Sequence, residues 1–242
     1  MKADLFFSKW PYIAFSLLVV GIIVRYLLER TRMVAVREEM SEAWSLFGGA
    51  GVWRASVLLL VLGHAASLVF PQTILAWNGK PARLYLLEGI AFAAGIAAFA
   101  GCVALIWRHL ARTSRSAITE LSDTVLIALV LLGIISGLLM AVLHRWGSSW
   151  GPLVLTPYIA SLLKLRPTAA LATQTPFLVR LHVFSMFAAF AVLPLTRLAA
   201  FLVFALHSTL TYVGRPISAA GHAAESWLRI HDPSAWLWPE ED

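Results

Sequence analysis

His64, in the run Val-Leu-Gly-His-Ala-Ala-Ser, and His182, in Arg-Leu-His-Val-Phe-Ser, both stand in stretches otherwise apolar enough to sit in lipid. Ionisable side chains are costly there and mark functional positions by default. A neutral imidazole offers one bare ring nitrogen and one N–H. Two that face each other can hold a metal from opposite sides of a flat ring, each giving its N–H to a nearby acceptor. Bis-imidazole ligation of a haem uses this arrangement; a proton relay or a substrate path is the other use of such a pair. Small neighbours leave room for a porphyrin edge. Gly63, Ala65 and Ala66 flank His64 with Ser67 one turn on, and Ser185 and Ala189 follow His182 at i+3 and i+7. Arg180 either meets haem propionates through charge-assisted hydrogen bonds or reaches lipid headgroups.

The elements that must position these groups are membrane helices. The chain has 242 residues, of which 60% are hydrophobic and 13% charged, and a mean hydropathy of +0.78. That is too apolar for an ordinary soluble domain. Spans are predicted over roughly Pro11 to Leu28, Gly51 to Phe70, Leu84 to Trp107, Thr124 to Leu143, and Phe177 to about Leu206. Each supplies close to the ~20 apolar residues that cross a bilayer. The fold class is therefore all-α, an integral bundle of five transmembrane helices. Arg25 follows the first apolar run without a small-residue cleavage site, which disfavours a signal peptide.

Depth then relates the two histidines. His64 lies six residues before Phe70, about 9 Å along the axis. His182 lies a similar distance after Phe177, on a helix running the other way, so both share one level near the same surface. Arg30, Arg32 and Arg37 follow the first span, and Arg108, Arg112 and Arg115 follow the third. Both connections should face the cytoplasm, with the amino terminus outside and the carboxyl terminus inside. The histidine level is then the outer one. Arg197, at the far end of the fifth span, reads as a snorkelling residue of the inner interface.

The remaining features are weaker signals. Gly133 and Gly137 allow close approach of a helix or a flat ligand. Cys102 is the single cysteine, which excludes an internal disulfide and any cysteine-held cluster. Gly147 to Pro176 is too short and proline-rich to cross; with Trp146 and Trp150 as anchors it should lie along the outer interface and cap what is beneath. The division expected is a transmembrane domain over residues 1–214 and a cytoplasmic tail over 215–242. The tail carries Trp227, Trp236 and Trp238 and ends Pro-Glu-Glu-Asp; it reads as a partner-docking surface or a loose interfacial segment. His144 could hydrogen-bond near the outer pocket, and His222 and His231 read as surface residues of the tail. No nucleic-acid motif is visible.

The run Phe177 to Leu198, with Arg180-Leu181-His182, Pro194 and Arg197-Leu198, resembles the last membrane helix of the respiratory nitrate reductase gamma subunit family. Trp10 to Ala14, followed by Arg25 and Tyr26, resembles its first helix. Gly63-His64, with Pro71 seven residues on, resembles its second. The resemblance covers roughly residues 10 to 200. It implies a membrane subunit that oxidises quinol near the outer face and passes electrons through haem b to an iron-sulfur subunit and a cytoplasmic molybdenum enzyme, in the inner membrane of the cell. It makes His64 and His182 the axial ligands of the outer haem. It places the quinol beside Gly63, His64 and a lysine at the start of the third helix, where this chain has Arg83, with Lys80 nearby.

At the family's inner-haem ligand positions the chain has Arg54 and Ala200. A guanidinium stays protonated and alanine has no donor, so one haem is expected. His109 and His207, at the inner ends of the third and fifth spans, are the residues from which a second site could be rebuilt. Two other classes share some of these features. One is the related membrane subunit of heterodisulfide or sulfite-reduction complexes. The other is a non-redox membrane anchor, against which the two intramembrane imidazoles argue. A transporter would call for polar residues at mid-depth or an inverted repeat.

Overall fold

The computed structural model describes residues 2–48, 51–110, 117–144 and 146–230. In chain order the helices are α1 (Lys2–Glu29), α2 (Met33–Phe47), α3 (Gly51–Val69), α4 (Pro71–Asn78), α5 (Pro81–Leu110), α6 (Ala117–Leu143), α7 (Gly147–Trp150), α8 (Thr156–Leu163), α9 (Ala170–Thr173), α10 (Phe177–Val192) and α11 (Ala199–Ile230). A π-helical turn, Gly151–Leu155, precedes α8, and a 3-10 turn, Leu193–Leu195, follows α10. Among the described residues there is no strand. Five helices are long and apolar enough to span a membrane, over Phe6–Glu29, Gly51–Val69, Pro81–His109, Glu120–Leu143 and Phe177–Leu195. The protein is an all-α multi-pass membrane protein. Leu17, Val20, Leu58, Leu62, Ile96 and Val103 point outward, as side chains solvated by lipid do, while helical backbone keeps its own hydrogen bonds.

The spans pack in the row α1, α10, α6, α5, α3. Only Ser56 of α3 is buried. The row curls so that α3 faces α10 at the two histidines without packing along it. Close contacts occur where glycine removes a side chain. The Trp53 ring of α3 lies directly on Gly101 of α5, and Gly21 of α1 lies on Pro194.

The fifth span is shorter than its sequence suggests. The helix ends at Val192, tightens over Leu193–Leu195, turns extended at Thr196 (φ −103°, ψ 163°) and restarts at Ala199. Pro194 has no N–H to continue the ladder. The break also corrects the reading of Arg197. It does not snorkel: its backbone N–H donates to Asp123 Oδ1 at 3.0 Å, and its Nη1 lies 3.3 Å from Asp123 Oδ2. Carbonyls freed by the break take donors from Arg25 of α1, at 3.2 Å for Pro194 and 2.6 Å for Thr196. Arg25 also pairs with Glu29 at 2.9 Å and with Glu39 of α2. Burial pushes the Glu39 carboxyl above its usual range even though Arg25 opposes the shift.

At the other end, Gly147 to Pro176 lies over the tips of α1, α3 and α10, as expected of a cap. Tyr158 is fully buried and donates to the Phe7 carbonyl at 2.7 Å, while Tyr12 donates to the Leu162 carbonyl at 2.9 Å. Thr156 donates to the Ser67 carbonyl at 3.0 Å. The first connection also differs from a plain loop, since it holds α2, whose buried Val36 packs with Ala200 and Val203 of α11. Arg108 binds the carbonyls of Ser45 and Leu46 at the end of α2. Helix α11 continues without interruption through residue 215. Arg112, Arg115, Arg145, His231, Trp236, Trp238 and the final Pro-Glu-Glu-Asp lie outside the described residues.

Candidate functional site

The curl of the row brings His64 and His182 together. Their ring centres are 5.9 Å apart and their planes 18° from parallel. His64 Nδ1 lies 2.7 Å from the Leu60 carbonyl one turn back on α3. His182 Nδ1 lies 2.9 Å from the Gly133 carbonyl of α6 and 3.3 Å from Ser136 Oγ. A carbonyl only accepts, so each Nδ1 must carry the proton and each Nε2 is left bare in the neutral ring. Among the described residues neither Nε2 has a hydrogen-bonding partner. Backbone-oriented imidazoles with free nitrogens are what a metal centre with two axial ligands requires.

The surrounding small residues divide the work. Gly137 lets the His182 ring lie on α6, where an added Cβ would stand 3.4 Å from Cε1. The Gly133 and Gly137 pair, open in sequence to either helix packing or a flat ligand, therefore seats the histidine. Gly63 instead borders open space, with nothing within 4 Å of an added Cβ. Ser185 is buried and donates to the His182 carbonyl at 2.8 Å. Arg180, one half-turn before His182, has a buried Nε without a partner. Trp10 Nε1, on the facing α1, is likewise buried and unpartnered; its ring stacks on Phe184 at 5.7 Å. Arg180 and Phe184 are i, i+4 neighbours on the α1 side of α10, whereas His182 lies on α6; buried polar atoms left unpartnered among the described residues are unusual.

The other candidates are not gathered here. Lys80 and Arg83 sit exposed at the turn into α5, with the Arg83 guanidinium 5.2 Å from the Trp77 ring centre. Arg54 is exposed over the ring of Trp44 at 5.3 Å. Ala200 is fully buried in the α2–α11 cluster. His109 and His207 are held apart by separate partners. His109 Nε2 lies 2.7 Å from Thr124 Oγ1 on α6, and His207 packs beside Tyr26 of α1 at 6.1 Å. They do not form a second pair. His144 packs beside Trp150 at 6.4 Å.

Sequence reading passed over three acids and one aromatic. Glu88 is the lone charge in the run Leu84 to Trp107, a signal available to inspection. Asp123 stood one residue outside the span drawn from Thr124, and Glu39 lay in a presumed loop. Trp10 was noticed as part of a motif and not as a donor.

With this geometry in hand, three comparisons bear on kinship. The sequence pattern of the nitrate reductase gamma subunit family matches residues 3–220. A nitrate reductase gamma chain from Bacillus subtilis (strain 168) is 25% identical over 201 residues, covering 82% of this chain and 90% of its own length. The nitrate reductase-like protein NarX of Mycobacterium tuberculosis (strain CDC 1551 / Oshkosh) is 25% identical over 221 residues, covering 89% of this chain but 33% of that longer protein. By the extent of the family match, from near the first residue into α11, the chain belongs to the nitrate reductase gamma subunit family.

Proposed function

We propose that this protein is the haem b electron-transfer subunit of a nitrate reductase-like complex. It would oxidise quinol near the outer face, with iron-sulfur and molybdenum subunits as partners on the cytoplasmic side. The observation that carries this reading is the pair of facing imidazoles, each with Nδ1 committed to a backbone carbonyl and Nε2 free. Two imidazoles on opposite sides of one iron stand with ring centres about 6 Å apart, given metal–nitrogen bonds of about 2 Å. The separation of 5.9 Å suits that arrangement. Arg180, with its buried Nε unpartnered among the described residues, remains the candidate contact for haem propionates.

When bound, haem b supplies one-electron acceptance from quinol. The chain's own residues hold and orient. His64 and His182 would hold the haem through their Nε2 atoms, Gly63 keeps the approach to His64 open, and the cap from Gly147 to Pro176 limits water entry. Lys80 and Arg83 remain the cationic quinol-binding candidates at the outer end of α5. An inner haem does not fit. Arg54 is turned onto Trp44, Ala200 is sealed in an apolar cluster, and His109 and His207 are held apart.

A pyridine haemochrome assay with a redox-titrated visible spectrum on purified protein tests this reading. We expect one b-type haem per chain, lost in both His64→Ala and His182→Ala. A colourless wild-type protein after haem supplementation would leave a non-redox membrane anchor as the better account, and two haems would contradict the single-site geometry.

A further inference from the structure

We propose that Glu88 is the proton acceptor for quinol oxidised beside His64, an inference that rests on the quinol-oxidising reading above. Register places Glu88 at the right depth. Trp53 of α3 lies on Gly101 of α5, and the two helices run antiparallel. Moving outward from that contact, His64 is eleven residues along α3 and Glu88 thirteen along α5, about 17 Å and about 20 Å at the helical rise. The carboxylate thus stands within a turn of the histidine level, on a helix packed against α3.

Its chemistry is equally specific. Between Gly51 and Leu110, and again between Gly147 and Leu195, Glu88 is the only acidic residue. Its Oε1 accepts the Ser148 backbone N–H at 3.3 Å and the Ser148 hydroxyl at 3.1 Å. Asn78 in turn donates to Ser148 Oγ and Ser149 Oγ, both at 3.1 Å, so the donors of this outer cluster point toward the carboxylate. Among the described residues Oε2 has no hydrogen-bonding partner. One oxygen is anchored to the cap and the other is left to take a proton. The remaining titratable or charged groups described at this end have other commitments or the wrong charge. His64 donates its Nδ1–H to the Leu60 carbonyl, His144 packs by Trp150, Tyr85 by Trp146, and Lys80 and Arg83 are cations.

Each quinol releases two protons and two electrons. At each hydroxyl the O–H bond breaks and the proton passes to Glu88 Oε2; a haem held by His64 and His182 would take one electron and pass it to the partner subunits before the second is released. Glu88 then gives its proton to water at the outer cap, through the segment around Ser148 and Ser149, before the next transfer.

The test compares wild type, Glu88→Gln, Glu88→Asp and Ser148→Ala as full-length, haem-loaded protein. Three quantities are read: haem content, the rate of haem reduction by added quinol, and the affinity for a fluorescent hydroxyquinoline N-oxide followed by quenching. Glutamine keeps an acceptor for Ser148 but cannot take a proton. We expect Glu88→Gln to retain full haem content, slow reduction by about 10²-fold and weaken the analogue's binding, with Glu88→Asp recovering part of both. Wild-type reduction rates in Glu88→Gln would overturn the assignment, as would equal slowing in Glu88→Gln and Ser148→Ala with unchanged analogue binding, the signature of a latch that only holds the cap. If quinol fails to reduce the wild-type haem, the quinol reading itself falls and takes this inference with it.

Discussion

The end of the bundle that holds Asp123 and Arg197 and the end that holds His64 and His182 both place polar groups among apolar helices, and they differ in what those groups meet. At the first of these ends Asp123, fully buried on α6, meets Arg197 twice, and Arg25 is divided among Glu29, Glu39 and the carbonyls of Pro194 and Thr196. At the histidine end Nδ1 of His64 and of His182 is bound to a backbone carbonyl, and among the described residues their Nε2 atoms have no hydrogen-bonding partner. Opposite charges that meet across helices hold those helices in place; ring nitrogens left open at one level are available to a ligand. The Arg197 end therefore reads as a structural joint and the histidine end as the candidate site, on the same helices.

Substitutions that strike one end should separate the two roles. The largest effect is expected from Asp123→Ala, which removes the buried carboxylate of the pair and leaves Arg197, 13% exposed, with Glu42 at 3.6 Å. Loss of one partner of a buried pair costs about 3–5 kcal/mol, visible as a lower midpoint of thermal unfolding in detergent. Haem content of the surviving folded protein should stay near wild type. If Asp123→Ala leaves the midpoint unmoved, the joint is not structural.

A smaller and sharper contrast comes from two glycines. Gly21→Ala would drive a methyl to 2.6 Å from Pro194 Cβ, where a rigid ring cannot yield, and should cost about 1–3 kcal/mol of stability. Gly63→Ala meets open space and should change stability by no more than about 0.5 kcal/mol, while reducing the rate of haem reduction by quinol. Equal stability losses in the two variants would erase the distinction. The smallest effect belongs to Arg54→Ala, which removes an exposed stack on Trp44 worth about 0.5–1 kcal/mol. Its haem stoichiometry should equal that of the wild type; a lower stoichiometry would mean that Arg54 supports a cofactor after all.

The meeting of His64 and His182 was legible beforehand because its signals are local. A histidine inside an apolar run is visible without any neighbour, and the axial rise of a helix gives its depth. Small residues around His64 and His182 were equally plain. Their separate duties were not: Gly137 seats His182 and Gly63 borders open space, although both are glycines in membrane helices. The inner joint escaped notice for the same reason. Asp123 and Arg197 are 74 residues apart, and nothing in either segment names the other. Arg197 looked like a snorkelling residue because the span was drawn as continuous; Pro194 was in view, but its effect depends on α1 packing Gly21 against it and Arg25 satisfying the released carbonyls.

By itself the sequence determined the five spans, the all-α class and the shared depth of the two histidines, since hydrophobic length and helical rise are properties of each segment alone. Only the tertiary structure decided that the imidazoles face each other at 5.9 Å, that His109 and His207 do not meet, and that Glu88 reaches the cap. Those outcomes depend on which helices lie side by side and how the row of spans curls. That is settled by close packing at Gly21, Gly101 and Gly137 and by pairing of buried charge across distant segments, interactions that no single stretch of chain encodes.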